Sequence, residues 1–439
     1  MLTTLKNAFK IKDIRRKLLF TLAMLVVIRI GSQLPAPGVN SEYFQSWFNS
    51  ETGGAFSFFD AITGGSFASM SILALNISPY ITSSIIIQLL TIAIPKLEEM
   101  QRDGEDGRKK LAAITRYVTV GLALIQSTAM AIGFGRQGYL TTFNAMNVIT
   151  AVAALTAGSA FLMWVGERIT EYGVGNGISI VLVINILSRI PEDLSMLFEK
   201  FVFSQASAPA KAALAVVIIF GVIIGMVVLV VMLNAGVRKI PVQYANKVQG
   251  RKMVGGTTSN IPLRVNTSGV LPIIFAQSIM QFPLIICSFV GYQGTGVWAH
   301  ILKGLNSNYW CSPAQPIYSI GLLVYIVLIV FFAYFYTSVS FNPLMIADNM
   351  KKQGGFIPGI RPGKPTSDYL TKVVNYIVFI GAIGLIIVSV IPYIFNGIFG
   401  ASVSFGGTSL IIIVSVVLET MKQVESQMLV RNYKGFLNN

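Results

Sequence analysis

The chain has 439 residues, of which 54% are apolar and only 12% are charged, and its formal net charge is +15. Its mean hydropathy of +0.68 and its low charged fraction exclude an ordinary water-soluble protein, in which about a quarter of the residues are charged. The composition therefore indicates an integral membrane protein.

Positive charge is distributed unevenly along the chain. Most of the 33 Lys and Arg residues lie in residues 1–17, 96–116, 166–176, 234–267, 340–372 and 421–439. Positively charged loops tend to stay cytoplasmic, so this pattern predicts that both termini are on the cytoplasmic side. The first apolar run lacks an evident cleavage site and is interpreted as a start-transfer helix. The net charge thus belongs to loops and does not indicate a nucleic-acid-binding domain.

Apolar runs of roughly 20 residues, the length of a helix that crosses the hydrocarbon core, follow one another in chain order. They occupy residues 18–34, 72–94, 114–134, 146–165, 212–233, 268–291, 317–339, 373–395 and 408–428. A further run at 177–190 is too short to face lipid and predicts a helix sheltered by its neighbours. We therefore predict an all-α polytopic membrane protein with ten transmembrane helices.

The segment 55–70 is neither a span nor an ordinary loop. It mixes Phe and Ile with Gly and Ser, and at about 1.5 Å per residue it is too short to cross the membrane core. One interpretation is a re-entrant half-helix, which requires a sheltered or water-filled vestibule because lipid cannot satisfy a broken backbone. The alternative is an amphipathic loop at the membrane interface.

The spans divide into two sets of five. Residues 1–211 form an N-terminal half that includes 55–70, and residues 212–439 form a C-terminal half with long cytoplasmic loops at 234–267 and 340–372. An odd number of spans in each half makes the second half enter from the opposite side, which predicts an inverted repeat. The short similarity between 77–81 and 270–274 agrees with this division. Inverted halves commonly enclose a path, as in secondary transporters.

The sequence contains no recognisable catalytic constellation. Ion-coupled transporters and membrane-embedded enzymes place ionisable groups within their spans, and such groups are sparse here. His300 lies in an external loop without further ligands at metal-binding spacing, and Gly363-Lys364-Pro365 lacks the context of a phosphate-binding loop. We expect no catalytic residues, no metal site, no cofactor and no enzymatic activity.

Four stretches closely resemble signature sequences of the SecY family, the bacterial protein-conducting channels. They are Asn-Ile-Ser-Pro-Tyr-Ile-Thr-Ser-Ser-Ile-Ile-Ile-Gln-Leu-Leu at 76–90, Gly-Glu-Arg-Ile-Thr-Glu-Tyr-Gly-Val-Gly-Asn-Gly-Ile-Ser-Ile at 166–180, Ile-Pro-Leu-Arg-Val-Asn at 261–266 and Pro-Gly-Ile-Arg-Pro-Gly at 358–363. The resemblance covers essentially the whole chain. It implies a channel that passes unfolded secretory polypeptides across the membrane and releases hydrophobic segments sideways into lipid; the alternative is a secondary transporter of the inverted-repeat type.

The resemblance also implies how the pore is closed. In the family, a ring of apolar side chains forms the waist of an hourglass, and the matching residues are Ile77, Ile81, Leu182, Ile186, Ile274 and Ile412. The segment 55–70 then corresponds to a plug that rests against the ring and moves away when the channel opens. The plug residues singled out are Phe58, Phe59, Ile62, Gly64, Gly65 and Phe67.

Further implied roles concern the lateral gate and the partners. The family's gate lies between the second and third helices on one side and the seventh and eighth on the other, which places Thr82, Gln88 and Gln277 near the seam. Arg251, Lys252 and Arg361 match positions that dock the SecA ATPase or the ribosome. Implied partners are SecE and SecG, SecA, the ribosome, signal peptides and unfolded preproteins, and membrane lipid, without sequence-specific nucleic acid. The implied location is the bacterial plasma membrane.

Overall fold

The structure, a computed structural model, describes residues 8–51, 60, 62–136, 138–203, 209–244, 247–249, 252–254, 258–290, 296–313, 315–399 and 407–436. These residues are mostly helical. The helices of the first half are α1 (Lys12–Gln33), α2 (Ser41–Glu51), α3 (Ser78–Ala93), α4 (Pro95–Arg102), α5 (Gly104–Arg136), α6 (Ala145–Tyr172) and α7 (Gly177–Phe201).

The second half contains helices and, in one region, short strands. Its helices are α8 (Pro209–Ala235), α9 (Leu271–Val290), α10 (Val297–Leu305), α11 (Ile320–Ser340), α12 (Pro343–Lys352), α13 (Lys364–Phe399) and α14 (Gly407–Phe436). Its strands are β1 (Val237–Tyr244), β2 (Lys247–Gln249), β3 (Lys252–Val254), β4 (Thr258–Arg264) and β5 (Gly355–Phe356).

Each predicted span overlaps one of these helices, namely α1, α3, α5, α6, α7, α8, α9, α11, α13 and α14. By length and composition alone, 5 helices in the described part of the chain could cross a membrane, and α3 with α4 could form another span with a bend of 105°. The remaining helices are shorter, less apolar or interrupted by charged residues. The chain is therefore an all-α, multi-pass membrane protein. The observed helices are consistent with the predicted number of ten spans.

Helix α7 differs in length from the short run that hydropathy indicates. It has 25 residues and contains Pro191 in its interior. It packs against α1, α6, α8 and α14, so it is sheltered by its neighbours as the sequence predicts. Its second half escapes the hydropathy signal because Arg189, Glu192 and Asp193 interrupt the apolar run.

The two sets of five spans pack in the same internal order. In the first set α3 packs on α5, α5 on α6, α6 on α7, and α1 on both α6 and α7. In the second set α9 packs on α11, α11 on α13, α13 on α14, and α8 on both α13 and α14. Every pair of the first set thus has a counterpart in the second, as a repeat requires; the inverted orientation of the two halves stays a prediction.

The halves contact each other along two lines. On one side α7 packs against α14 and α8, and on the other side α5 packs against α9. Each half also has an apolar core of its own, centred on Phe44, Phe67 and Phe134 in the first half and on Trp310, Tyr325 and Ile329 in the second.

The predicted loops at 234–267 and 340–372 are joined in one antiparallel sheet with strand order β4-β1-β5. Strand β1 pairs with β4 from Val237 opposite Arg264 onward, and with β5 through Gln243 opposite Phe356. Hydropathy could not indicate this sheet, because its strands alternate exposed and buried residues and contain several charges. Ile240, Val242 and Leu263 anchor the sheet on α12 and α13.

Candidate pore and plug

A cluster of branched apolar side chains joins the two halves, and we call it the pore cluster. It consists of Leu182, Val183, Ile186 and Ile412, which are buried, with Ile62, Ile81, Val270, Ile274, Ile413 and Val416 packed against them. Five of the six predicted ring residues belong to it. They come from α3 and α7 in the first half and from α9 and α14 in the second, so both halves contribute to the cluster.

The sixth predicted ring residue, Ile77, lies one turn away. It is the N-cap residue of α3 and is fully buried in a neighbouring apolar cluster of the first half. The amide of Ile81 donates to the carbonyl oxygen of Ile77 at 3.0 Å, and Ile81 packs against both clusters. The place of Ile77 in a ring stays a prediction.

The start of α7 is fixed by the signature at 166–180. The side-chain oxygen of Asn176 accepts hydrogen bonds from the amides of Ile178 at 3.1 Å and Ser179 at 3.4 Å, which caps the helix. A Cβ atom at Gly177 would overlap the carbonyl oxygen of Gly166, so glycine allows α6 and α7 to approach closely. From this fixed start, Leu182 and Ile186, four residues apart, present one face to the pore cluster.

The described part of the plug segment, residues 60 and 62–70, contains helical residues followed by turns. Gly64 and Gly65 have φ of +68° and +83°, which L side chains rarely adopt. A Cβ at Gly64 would lie 2.5 Å from the carbonyl oxygen of Asn185 on α7. The carbonyl oxygen of Gly64 lies within 3.5 Å of Nη1 of Arg29 and 3.4 Å of Oγ of Ser188, both donors. Glycine here lets the plug backbone lie directly on α7.

The plug also contacts the beginning of α3. Ile62 places its side chain in the pore cluster, and its carbonyl oxygen accepts a hydrogen bond from Nδ2 of Asn76 at 3.3 Å. Asn76 has a left-handed φ of 51°, and its own carbonyl oxygen accepts from Oγ of Ser159 at 3.0 Å. Asn76 therefore connects the plug, α3 and α6.

Asp60 and Arg189 form a buried ion pair that the sequence analysis missed. Asp60 Oδ2 lies 2.9 Å from Nη1 of Arg189, and the two side chains are 0% and 17% exposed. Oδ1 of Asp60 accepts a hydrogen bond from the amide of Ala68 at 2.8 Å. The available signal was an isolated acid at 60 within an otherwise apolar segment and a base at 189 at the end of an apolar run, where charges are unusual.

Phe67 anchors the other end of the plug segment. Its side chain is 1% exposed, and its ring centroid lies 5.8 Å from that of Phe44, 6.0 Å from Phe48 and 6.3 Å from Phe134. Phe67 is therefore tightly packed, although the segment around it is rich in small residues. Phe58 and Phe59 lie outside the described residues.

The predicted gate residues make their hydrogen bonds within their own halves. The hydroxyl of Thr82, which is exposed, donates to the carbonyl oxygen of Ser78 at 3.0 Å. Gln277 is 3% exposed, and its Oε1 accepts from the hydroxyl of Tyr393 on α13 at 2.9 Å. The side chain of Gln88 is partly buried. The bond of Gln277 is the kind that joins neighbouring membrane helices.

Of the predicted docking residues, Arg361 is exposed in the turn between β5 and α13, beside Gly359 and Gly363, which have positive φ. Its carbonyl oxygen accepts from the hydroxyl of Thr366 at 2.8 Å, which fixes the turn at the helix start. Lys252 lies in β3, and Arg251 is outside the described residues.

Within the described residues, His, Cys, Asp and Glu form no group of three or more that could hold a metal ion.

Comparison with known proteins identifies the family. The SecY family model matches residues 71–421. A Streptomyces galbus protein, "Protein translocase subunit SecY", is 43% identical over 457 residues, which cover 100% of both chains. A Bacillus subtilis relative of the same description is 42% identical over 449 residues, again 100% of both chains.

The fold agrees with that assignment. A solved structure described as a protein conducting channel superposes with a TM-score of 0.65 at 18% identity, covering 94% of this chain and 92% of the other. Sec61 in a canine ribosome-channel complex from the endoplasmic reticulum gives a TM-score of 0.63 at 17% identity with the same coverage. With its pore cluster and plug segment between two packed halves, and with full-length relatives at this level of identity, the chain belongs to the SecY family.

Proposed function

We propose that this chain is the channel subunit of a protein translocase, which passes unfolded secretory polypeptides across the membrane. The observation that carries this proposal is the pore cluster, in which helices of both halves close one constriction and the plug segment packs against it through Ile62. The full-length similarity to translocase subunits supports it. Lining a path does not require catalytic groups, so the proposal includes no enzymatic step.

The constriction serves as a gasket. Branched apolar side chains resist the passage of ions because a narrow apolar space is poorly wetted. They can also change rotamer around an extended chain, because no specific hydrogen bond has to break. Ile81, Leu182, Ile186, Ile274 and Ile412 carry this role, with Ile77 next to them.

The seam between α3 and α5 on one side and α9 and α11 on the other is the route for lateral release. Hydrophobic segments of the cargo partition into lipid when this seam opens, since burying apolar surface is favourable by about 25 cal/mol per Å². Thr82, Gln88 and Gln277 lie on the helices that border the route. Polar contacts in membranes contribute roughly 0.6 to 2 kcal/mol each, so they can hold such a seam without locking it.

The driving force comes from partners that dock on the basic loops. Arg361 is exposed in the turn between β5 and α13, Lys252 begins β3, and Arg251 precedes Lys252 in the sequence. SecA or a ribosome would dock there, and contacts of Lys and Arg with RNA phosphates would weaken with salt without reading bases. SecE and SecG complete the complex, and signal peptides and unfolded preproteins are the cargo.

The distribution of Lys and Arg favours a bacterial plasma membrane protein with both termini cytoplasmic. The same packing order in both sets of five helices supports a division at residue 211, and the odd number of spans in each half favours an inverted second half. A secondary transporter is the weaker alternative, because the relatives are translocase subunits.

Reconstitution tests the proposal. Proteoliposomes that contain this chain with SecE and SecG are supplied with SecA, ATP and a fluorescent secretory precursor. We expect protease-protected precursor that requires both SecA and this chain. An intact complex that gives no protection, while a known active channel works in parallel, would contradict the proposed function and favour the transporter.

A further inference from the structure

We propose that Asp60, Arg189 and Glu192 form a charge switch, in which Arg189 is shared by Asp60 and Glu192 when the plug is seated and is held by Glu192 alone when the plug has moved away. The proposal rests on the proposed function, since it assigns to three further residues the control of the closed state. It concerns residues outside the apolar constriction.

Arg189 lies between two acids. Nη1 of Arg189 lies 2.9 Å from Asp60 Oδ2 on the plug and 3.5 Å from Glu192 Oε2 on its own helix, one turn further on. Asp60 is 0% exposed, whereas Glu192 is 61% exposed. One guanidinium thus contacts one partner that leaves with the plug and one that stays on α7.

Separating Asp60 from Arg189 costs free energy. A buried cation whose partner is removed is strongly destabilised, because its desolvation is no longer compensated. If Arg189 had no other acid within reach, plug movement would leave its mostly buried guanidinium without an acidic partner. Glu192 is already within reach, so it can accept the guanidinium as Asp60 departs and lower the cost of the open state.

In the closed state, the hydrogen-bonding groups of the ion pair are incompletely bonded. Among the residues that the structure describes, Nε of Arg189 is buried without a hydrogen-bond partner. A buried ion pair contributes net stability only when its remaining donors and acceptors are bonded. The Asp60 pair therefore holds the plug without making its release prohibitive, which is what a reversible latch requires.

Other charged groups lie nearby and have to be held constant. Asp193 is buried on α7 and has an interaction of its own. Arg29 reaches the plug backbone at Gly64 rather than the carboxylate of Asp60. Neither residue is changed in the test, so the comparison isolates the two acids that contact Arg189.

The switch makes an unusual prediction, because neutralising two acids next to one arginine should have opposite effects. Asp60→Asn removes the closed-state partner and should raise resting ion conductance of the reconstituted complex several-fold. Glu192→Gln removes the open-state partner and should lower the frequency of channel opening and the rate of precursor translocation. In an Arg189→Gln background, Glu192→Gln should have no effect.

The controls distinguish failure of the switch from failure of the channel. Glu192 is exposed, so its variant tests the switch even if Asp60→Asn fails to assemble, and size-exclusion chromatography verifies each complex. The variant Ile81→Gly with Ile274→Gly acts on the constriction without touching the switch. Suppose that this double variant raises ion conductance. If Asp60→Asn and Glu192→Gln then change conductance in the same direction, or leave it unchanged, the switch is wrong. If the constriction variant also leaves conductance unchanged, the pore assignment itself is wrong.

Discussion

The two ends of the described plug segment are attached by different forces. Phe67 is enclosed by the aromatic rings of Phe44, Phe48 and Phe134, whereas Asp60 is held by one ion pair to Arg189. Between them, Gly64 and Gly65 provide two consecutive residues with positive φ. The aromatic end resembles the core of a soluble domain, and the ionic end resembles a contact that can be exchanged.

The magnitudes of the two attachments explain what each can do. Removing a buried Phe side chain costs about 3–5 kcal/mol because it leaves a cavity. A buried ion pair contributes little net free energy relative to its separated and solvated groups. We infer that the ionic contact with α7 is the more readily exchanged of the two attachments.

The largest effect is expected for Phe67→Ala. It should lower the stability of the complex by about 3–5 kcal/mol, since the aromatic cluster of the first half loses its central ring. Thermal unfolding in detergent measures this change. Phe143→Ala is the matched control, because Phe143 is 54% exposed. An equal loss of stability in both variants would remove the distinction between an anchored and an exchangeable end.

Gly64→Ala should have the next largest effect, and it should act on sealing more than on stability. The new Cβ would lie 2.5 Å from the carbonyl oxygen of Asn185, at a φ of +68°. Strain of about 1–3 kcal/mol would displace the plug from α7 and raise resting conductance about 5- to 140-fold, since about 1.4 kcal/mol corresponds to a tenfold change. Gly121→Ala on α5 is the control, because a Cβ there meets nothing within 4 Å. Normal sealing by Gly64→Ala would contradict the seated position of the plug.

The double variant Ile81→Gly with Ile274→Gly should produce a smaller, several-fold rise in resting conductance. It widens the pore cluster from both halves while the plug remains in place. Ile224→Gly with Ile387→Gly removes two exposed isoleucines from α8 and α13, 59% and 45% exposed, and controls for the cost of glycine in helices. Single-channel recording in planar bilayers compares the pairs. Conductance that rises equally in both would remove the gasket assignment.

Arg361→Glu should have the smallest effect on the closed state. Arg361 is exposed in the loop before α13, and this loop is distant in sequence from the plug segment. We expect unchanged resting conductance and unchanged assembly, with SecA-driven translocation strongly reduced. Lys351→Glu reverses another exposed charge of the same loop and serves as the control. Equal loss of assembly and of translocation in Arg361→Glu would count against a specific coupling role.

The helices and most of the constriction could be predicted from the sequence because both depend on local patterns. Apolar runs locate membrane helices through hydropathy, and each predicted span overlaps an observed helix. Leu182 and Ile186 share a face because they are four residues apart on one helix. The motif resemblance then predicts that Ile81, Ile274 and Ile412 lie in the same ring, and all three belong to the pore cluster.

The remaining features depend on contacts between distant segments. Asp60 and Arg189 are far apart in the chain, and neither forms a motif alone. The sheet that joins β1 to β5 pairs residues from two separate loops, which no local period indicates. The anchoring of Phe67 depends on Phe44, Phe48 and Phe134, and α2, which supplies Phe44 and Phe48, was not predicted.

The most direct test of the account is a crosslink between the pore cluster and a polypeptide arrested in transit. A photoreactive amino acid replaces Ile274 or Ile412 in one set of complexes and the exposed Ile224 or Ile387 in another. The account predicts SecA- and ATP-dependent crosslinks to the arrested precursor from Ile274 and Ile412, and none from the exposed positions. Crosslinks that are absent from the pore cluster in complexes that protect precursor would contradict a path between the two halves.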